Sequence, residues 1–367
     1  MAHLFKKIGF HANGKPRAWL KSLVFDAQLA PRPLFKTWVC PPTGDIHPAF
    51  RAWLRLAWQN PAPSAQNDWP VRRRQLIEHK ALVDAHTLTI VCTRPTTFVA
   101  HALQTHAAAL GMEVCIQFDM PEDFDEDLYL VICPQMFARL PPGEKRIVFQ
   151  MEQSVHPRWF TPDYLNVLYN SLAVFDYSAR NIEFLIQQGL PADLLFHVPL
   201  SPVAHYPGAA NSSTWTGSEA SGTCDVLFYG DLKNKRRQAF LKVLGEHFVV
   251  WAERSLYGQD LWQAMRQARV VVNIHYYENA LLESTRICEC LSLGARVISE
   301  AATDQGQHAD WEDLVLFTPI NDVQAMVQAI QHQLQQAPVP FPNLAERPMR
   351  MGPALRAALQ VLNVRSV

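Results

Sequence analysis

The sequence contains no apolar run that approaches the length of a membrane span, and its first fifteen residues lack the hydrophobic stretch of a signal peptide. We therefore expect the protein to be made and kept in the cytoplasm. Its seven cysteines are an odd number, and none of them has the spacing of a zinc ligand pair. Reduced thiols packed in or beside apolar segments are expected instead of a disulfide framework.

Charge is also scarce, since only 18% of the residues are charged and 49% are apolar. That balance excludes a disordered chain and is typical of a globular one. The 367 residues exceed one ordinary core, so we expect two domains and some additional chain.

Acidic residues are scarcest in the first 80 positions, where thirteen lysines and arginines stand against four aspartates and glutamates. This region has a net charge of +9, which leaves −10 for the remainder of a chain whose total is −1. A basic head on an acidic body indicates contact with an anionic surface. We expect peripheral contact with the inner face of a membrane, and no nucleic acid.

A 15-residue repeat runs through the head, residues 1–60. Pro16-Arg17 recurs as Pro31-Arg32, and Lys21 recurs as Lys36. Each copy predicts a turn followed by a basic, aromatic helix of about two turns, which is too short to be stable alone. The copies are either an appendage packed through its aromatic residues or an element that docks on a membrane or a partner.

Residues 61–86 are expected to form a linker that carries the basic run Arg72-Arg73-Arg74. We interpret that run as a solvated basic face, with phospholipid contact as the alternative. Strand and helix patterns then alternate in two series, residues 87–207 and residues 223–335, separated by a Ser/Thr/Ala/Gly-rich linker at 208–222. A tail with a terminal helix, 336–367, ends the chain. The predicted fold class is α/β, with two Rossmann-like domains that face a central cleft.

The stretch Asn273–Ser299 is the most informative part of the second series. It reads as the end of a strand, a polar and aromatic loop, a helix that carries Glu283, Arg286 and Glu289, a glycine stop at Gly294 and another strand. In parallel α/β sheets the ligand lies beyond the carboxyl ends of the strands, where this loop and the first helical turn belong.

The segment from Glu289 through Gly294 to Ile298 resembles the C-terminal signature of GT-B glycosyltransferases of the group 1 type. The resemblance implies that Glu289 accepts hydrogen bonds from the ribose of a nucleotide-sugar donor. It also implies that Gly230 is the glycine after the first strand of the donor domain, and that Lys235 and Arg236 are the basic pair for the diphosphate. It covers about residues 87–335.

This sequence departs from the family pattern at two places. The pattern puts a first glutamate eight positions before Glu289, where Leu281 stands, and the nearest acids are Glu278 and Glu283. No glycine-rich loop follows the first strand of the first domain. Either acid could approach the donor sugar, and we take Glu283, together with Glu152 and His156, as the catalytic candidates.

Other candidates follow strand ends. Glu152 resembles a cleft-facing residue of the acceptor domain, and His156 is either an acceptor base or an incidental loop histidine. Asn273 and His275 end a strand of the second domain and are expected to contact the donor. The acidic run Asp123, Asp125 and Asp127 precedes a strand and is interpreted as a solvated loop in preference to a metal site.

Breaking a sugar–diphosphate bond leaves negative charge on the diphosphate, which a metal or fixed arginines and helix N-termini must stabilise. Arg286 and Arg236 are the candidates, so no metal and no cofactor are expected beyond the nucleotide sugar, a co-substrate. Glu283, Arg286 and Glu289 could equally form a solvated salt-bridge ladder on their helix.

The sequence therefore predicts a metal-independent glycosyltransferase that moves a sugar from a nucleotide sugar to a glycan or lipid-linked glycan, in cell-surface polysaccharide synthesis. Two alternatives stay open: a nucleotide-sugar epimerase of the same fold, and a non-catalytic nucleotide- or glycan-binding scaffold protein.

Overall fold

The structure, a computed structural model, describes residues 18–24, 32, 35, 68–79, 82–207, 224–336, 344–347 and 349–364. The chain forms two compact units. The first comprises residues 1–96, 107–198 and 355–367, and the second comprises residues 97–106 and 199–354. Neither unit is one continuous segment, whereas the sequence predicted two successive domains.

The helices that the structure describes are, in chain order, Ala18–Val24 (α1), Trp69–Glu78 (α2), Thr97–Ala108 (α3), Pro162–Tyr169 (α4), Ala179–Gln187 (α5), Lys235–His247 (α6), Gly258–Gln267 (α7), Ser284–Ser292 (α8), Val323–Gln335 (α9) and Met351–Val361 (α10). Within the described ranges, none of them combines the length and the apolar character that a membrane crossing needs.

The first unit is built on a parallel sheet of six strands. They are Thr87–Val91 (β1), Glu113–Gln117 (β2), Leu128–Ile132 (β3), Arg146–Gln150 (β4), Ala173–Asp176 (β5) and Leu195–His197 (β6). Their order across the sheet is β2-β1-β3-β4-β5-β6.

The second unit is built on a parallel sheet of five strands. They are Cys224–Tyr229 (β7), Val250–Glu253 (β8), Ala268–Asn273 (β9), Val297–Glu300 (β10) and Val315–Thr318 (β11). Their order is β11-β10-β9-β7-β8, so the direction of the winding reverses between β7 and β9. The predicted α/β class with two Rossmann-like sheets is thereby confirmed.

Apolar runs form the central strands because helices cover both faces of a parallel sheet. Every residue of β3, β4, β5 and β10 is buried. In the second unit Val226, Phe228 and Val272 of the sheet pack with Phe240 of α6 and Met326 of α9. Gly294 ends α8 with a φ of 78°, as expected of a glycine stop.

Helix α2 lies inside the segment that was predicted to be a linker, and that prediction is wrong for residues 69–78. Arg73 is only 4% exposed, so the basic run is not a uniformly solvated face. Its Nε donates to the carbonyl oxygen of Leu172 at 2.6 Å, and its terminal nitrogens donate to Oδ2 and the carbonyl oxygen of Asp193 at 2.9 and 2.6 Å. Arg72 is exposed, with its Nη2 3.5 Å from a Glu144 oxygen.

The repeats of the head lie outside the described residues except for α1 and positions 32 and 35. Helix α1 has seven residues and falls in the copy that begins at Pro16.

Candidate functional site

The candidate site of the second unit lies at the carboxyl ends of β7 and β9, where the strand order reverses. Such a switch point is the usual ligand crevice of an open α/β sheet. Gly230 follows β7, Asn273 ends β9, and α8 begins at Ser284. The topology therefore brings together three regions that the sequence had singled out.

Gly230 makes room for the guanidinium of Arg286. Its φ is 142°, a value that favours glycine, and a Cβ at this position would lie 2.9 Å from Arg286 Nη2 and 3.4 Å from Arg237 Nη1. The glycine is thus required both by its backbone conformation and by two arginine side chains beside it.

Arg237 and Arg286 share the carboxylate of Glu283. Arg237 Nη2 donates to both oxygens of Glu283 at 2.9 and 3.0 Å, and Arg286 Nη1 donates to Oε2. The backbone amide of Tyr276 donates to Oε1 at 2.8 Å. Burial would raise the pKa of Glu283, but Arg286 and Arg237 hold it well below its usual value. Two arginines and one glutamate leave one positive charge at the switch point.

Arg286 is itself held in place. Its Nη1 also donates to Oδ1 of Asn273, and its guanidinium lies over the rings of Phe228 and Tyr229 at 5.6 and 5.3 Å from their centroids. Burial works against the charge, but Glu283 raises the pKa of Arg286 above its usual value. Arg286 and Glu283 are thus an i, i+3 pair, yet their side chains are only 12% and 15% exposed, which excludes a solvated ladder.

Several polar atoms around Glu283 are buried and have no hydrogen-bond partner: Arg286 Nε, Ser284 Oγ and His275 Nδ1. Ser284 is the first residue of α8 and is 2% exposed, and His275 is 1% exposed. His275 Nε2 lies 3.2 Å from the carbonyl oxygens of Glu300 and Ala301, so this nitrogen carries the proton. Buried polar groups are normally satisfied, so the two unpaired groups in the first turn of α8, Arg286 Nε and Ser284 Oγ, point to a missing acceptor.

The guanidinium of Arg236 is hydrogen-bonded to other residues of the second unit. Its terminal nitrogens form a fork on the buried carboxylate of Glu300, with Nη1 at 2.8 Å from Oε2. The same side chain donates to Asn321 Oδ1 and to the carbonyl oxygen of His275. Lys235, the other member of the predicted basic pair, is exposed in the first turn of α6.

Glu289 lies in the middle of α8 and is half-buried. Its Oε1 accepts from the hydroxyl of Tyr206 at 3.1 Å, and its Oε2 accepts from the hydroxyl of Tyr229 at 3.4 Å. Burial raises the pKa of Glu289 to about 7, against the effect of these two donors and of Arg286.

The loop between β9 and α8 is tied to the segment after β10. The amide of Leu282 donates to Oδ1 of Asp304 at 2.9 Å, and the amide of Thr303 donates to the carbonyl oxygen of Ala280 at 3.1 Å. Asp304 Oδ2 lies 3.4 Å from His308 Nε2. These contacts fix the backbone that presents His275 and Glu283.

A second polar cluster lies at the carboxyl edge of the first sheet. Gln150, at the end of β4, donates through Nε2 to Oδ2 of Asp176 at 2.6 Å, and Asp176 ends β5. Asn181 donates to Oδ1 of Asp176 and to the carbonyl oxygen of Glu152, both at 3.0 Å. Gln135 Nε2 donates to Oε1 of Glu152 at 2.5 Å. Glu152 is therefore placed by neighbouring strand ends.

Asp176 is fully buried, and burial raises its pKa to about 8 although three donors lower it. His156 is exposed in the turn that follows Glu152. Asp127 accepts from the amides of His86 and Thr87, both at 3.0 Å, so one member of the acidic run braces β1. Among the described residues, no group of three or more His, Cys, Asp or Glu side chains could hold a metal ion.

Among the residues of these clusters that were not singled out from the sequence are Arg237, Glu300, Tyr206 and Tyr229. For Arg237 a signal existed, because Arg237, Phe240 and Leu244 share one buried face of α6 at i, i+3 and i+7. The other three depend on contacts between distant parts of the chain.

No family model matches the chain, and no curated protein matches it in sequence. Solved structures do match. WaaG, a glycosyltransferase involved in lipopolysaccharide biosynthesis, is 11% identical; the match covers 75% of this chain and 99% of WaaG, with a TM-score of 0.47.

Two other similar structures are the Anabaena protein HepE in complex with UDP and glucose, and a putative UDP-N-acetylglucosamine 2-epimerase from Listeria monocytogenes. HepE is 12% identical, with 77% of this chain and 97% of HepE covered and a TM-score of 0.43. The epimerase is 11% identical, with 75% and 96% covered and a TM-score of 0.40. The structures similar to this chain thus include glycosyltransferases and nucleotide-sugar epimerases.

Proposed function

We propose that the chain is a glycosyltransferase whose second unit binds a nucleotide sugar at the β7/β9 switch point. The observation that carries the proposal is Arg286, fixed by Glu283 and Asn273 beside Gly230 with its Nε buried and unpaired. A diphosphate offers the acceptor oxygen that the Nε of this guanidinium lacks, and a helix N-terminus favours an anion.

In this proposal Arg286 stabilises the leaving diphosphate, and the fixed guanidinium groups of Arg286 and Arg237 take the place of a metal ion. Glu283 acts as a positioning residue, because the two arginines and the Tyr276 amide already occupy its oxygens. Glu289 binds the ribose. Asn273 and His275 belong to the wall of the site.

The acceptor in this proposal is a glycan or lipid-linked glycan bound by the first unit, with Glu152 as the base that accepts the proton of the attacking hydroxyl. The side-chain amide of Gln135 supports this role because it holds the Glu152 carboxylate, while Asn181 fixes the Glu152 backbone carbonyl. His156, exposed beside it, is the second candidate for the base. The basic head holds the protein at an anionic membrane, where a lipid-linked acceptor resides, and the product enters cell-surface polysaccharide.

The first prediction is that a nucleoside diphosphate stabilises the protein in the presence of EDTA. Thermal unfolding with the diphosphates UDP, GDP and ADP, and with the monophosphate CMP for comparison, is the measurement. A ligand at one hundred times its Kd adds about 2.7 kcal/mol to the free energy of unfolding. Arg286→Met should weaken binding of the diphosphate at least tenfold and leave binding of the parent nucleoside within about twofold, since only the phosphates meet the guanidinium.

No stabilisation by any of these nucleotides at millimolar concentration, with or without Mg²⁺, would remove the proposal. Stabilisation that requires Mg²⁺ would remove its metal-independent form. Product analysis with a nucleotide sugar separates the transferase from an epimerase, because only the epimerase turns over the sugar nucleotide with no acceptor present.

A further inference from the structure

The segment that follows the first unit's last strand runs along α8 and reaches Glu289. The amide of Val203 donates to Ser292 Oγ at 2.8 Å, and the hydroxyl of Tyr206 donates to Glu289 Oε1 at 3.1 Å. Two hydrogen bonds three residues apart thus align this segment with the second half of the helix.

Tyr206 is held by its ring as well as by its hydroxyl. It is 2% exposed, and its ring makes edge contacts with Phe98, His101 and Trp262 at centroid distances of 5.3, 5.7 and 5.9 Å. A tyrosine packed on three sides has little freedom to rotate, so the direction of its O–H is set by the fold.

The two tyrosines occupy only part of the hydrogen-bonding capacity of Glu289. An ionised carboxylate has about four acceptor positions, two on each oxygen. Tyr206 takes one on Oε1 and Tyr229 takes one on Oε2. One position remains on each oxygen, which is the requirement for two neighbouring hydroxyl groups of one ligand.

Resting on the proposed function, we infer that Tyr206 is a positioning residue that orients and keeps ionised the Glu289 carboxylate for the vicinal diol of the nucleotide ribose. Tyr229 assists from β7 through the other oxygen. Neither tyrosine contacts the ligand in this inference, because each hydroxyl hydrogen is used by Glu289.

The charge state of the surroundings supports this role. Burial, together with the neighbouring Glu289 carboxylate, raises the pKa of Tyr206, and burial raises the pKa of Tyr229 well above its usual value, so both hydroxyls stay protonated. The other groups that act on Glu289 or Tyr229 are Arg286 and Cys290 of α8; burial raises the pKa of the Cys290 thiol to about 12, so it remains neutral. His101, whose ring contacts Tyr206, has its pKa lowered by burial. Glu289 is the group of this set whose pKa lies at about 7.

The sign of the pH dependence follows. A ligand that donates two hydrogen bonds to Glu289 binds the ionised carboxylate, so affinity is full above the pKa of about 7 and falls as the pH drops through it. The Tyr206 hydrogen bond lowers that pKa, and its removal must therefore move the midpoint to higher pH.

The test is the Kd of the most strongly stabilising nucleoside diphosphate, measured by calorimetry from pH 6 to pH 9 on the full chain. Tyr206→Phe keeps the ring and its packing. If the variant raises the pKa of Glu289 by one unit, affinity drops about tenfold at pH 6 relative to wild type and stays within about twofold at pH 9. Tyr229→Phe should give a smaller loss of the same form, since its hydrogen bond is longer.

Two controls isolate Glu289 from the nucleotide phosphates, which titrate in the same range. Glu289→Gln should retain only the pH dependence of the nucleotide itself. Wild type should bind a 2′-deoxynucleoside diphosphate several-fold more weakly than it binds the ribonucleotide. The Glu289→Gln variant should bind both nucleotides with the same, weaker affinity.

A constant ratio of affinities between wild type and Tyr206→Phe from pH 6 to pH 9 would overturn the inference and leave the tyrosine a packing residue. Absence of nucleotide binding by wild type removes the proposed function and this inference with it. If wild type binds nucleotide and its pH profile runs parallel to that of Tyr206→Phe, the inference is wrong and the proposed function stands.

Discussion

At the scale of single residues, the candidate donor site depends on side chains that hold other side chains. Arg286 is fixed by Glu283, Asn273 and two aromatic rings, and Glu283 is fixed in turn by Arg237. A site assembled in this way needs no rearrangement before a ligand binds, which is the condition for electrostatic stabilisation of a developing charge. Because neighbouring side chains hold Arg286 in one position, the open space that Gly230 leaves beside its guanidinium matters as much as the arginine itself.

Gly230 offers the sharpest test of that space. For Gly230→Ala we expect the new methyl group to displace the Arg286 guanidinium, since it would meet Nη2 at 2.9 Å. The positive φ adds strain of about 1–3 kcal/mol, so both the unfolding free energy and the nucleotide affinity should fall. Calorimetric binding and chemical denaturation measure the two effects.

Gly245→Ala is the matched control. Gly245 lies within α6, and a Cβ there would meet no atom within 4 Å. Alanine in a helix interior is favoured over glycine by about 1 kcal/mol, so this variant should be slightly more stable and bind nucleotide normally. Equal nucleotide affinity in Gly230→Ala and wild type would mean that the Arg286 position is not part of the site.

Some of these residues could be predicted from the sequence. Arg286 and Gly230 lie near a helix start and after a strand, as the local pattern placed them, because such a pattern determines which end of an element a residue occupies. Glu289 was singled out by the family resemblance. Tyr206 could not be predicted as a partner of Glu289, since 83 positions separate the two. Glu283 was expected to meet a sugar, whereas the structure surrounds it with two arginines, and only the long-range position of Arg237 determines that outcome.

At the scale of secondary-structure elements, helix α2 is the part of the body that the sequence did not reveal. Its residues resemble a linker because they follow a proline-rich stretch and carry three consecutive arginines. The helix is retained by Arg73, whose guanidinium donates to the carbonyl oxygen that precedes β5 and to Asp193 near β6. By contrast, β4 was predicted at its observed bounds, because the apolar, β-branched and aromatic run Ile147-Val148-Phe149 is typical of a buried strand.

Replacement of Arg73 should therefore detach α2. For Arg73→Met we expect a loss of about 2–4 kcal/mol in the free energy of unfolding, because three hydrogen bonds from a buried charged group are lost. Denaturant titration gives the stability, and amide hydrogen exchange in residues 69–78 should become faster.

Arg72→Met serves as the comparison, since Arg72 belongs to the same helix and has an exposed side chain. Its loss should change the stability by less than about 0.5 kcal/mol. If both variants behave alike, the buried contacts of Arg73 do not retain the helix.

At the scale of the whole molecule, the charge is divided between a basic head and an acidic body. The first 80 residues have a net charge of +9, and the head, residues 1–60, has nine lysines and arginines against two aspartates, a net charge of +7. Basic segments bind anionic lipid with about 1 kcal/mol for each lysine or arginine near the surface, and salt weakens the attraction.

We predict that the full chain sediments with phosphatidylserine vesicles at low salt, and that a chain lacking residues 1–60 does not. Nucleotide-induced stabilisation should be the same in both, since the candidate donor residues all lie beyond position 199. Vesicles of phosphatidylcholine are the control for nonspecific association. Failure of the full chain to sediment with the anionic vesicles would remove the membrane role.

One contact between the last and first helical segments of the body bears on this truncation. Asn363, just after α10, donates through its side-chain amide to the carbonyl oxygen of Ile77 in α2. The first helix of the described body of residues 68–364 and the segment after its last helix therefore meet within the first unit. A circular permutant can join residue 364 to residue 68 through a flexible linker, with new termini cut in residues 208–223. We expect this permutant to keep the fold of both units, so the fold of each unit does not depend on the order of the two along the chain.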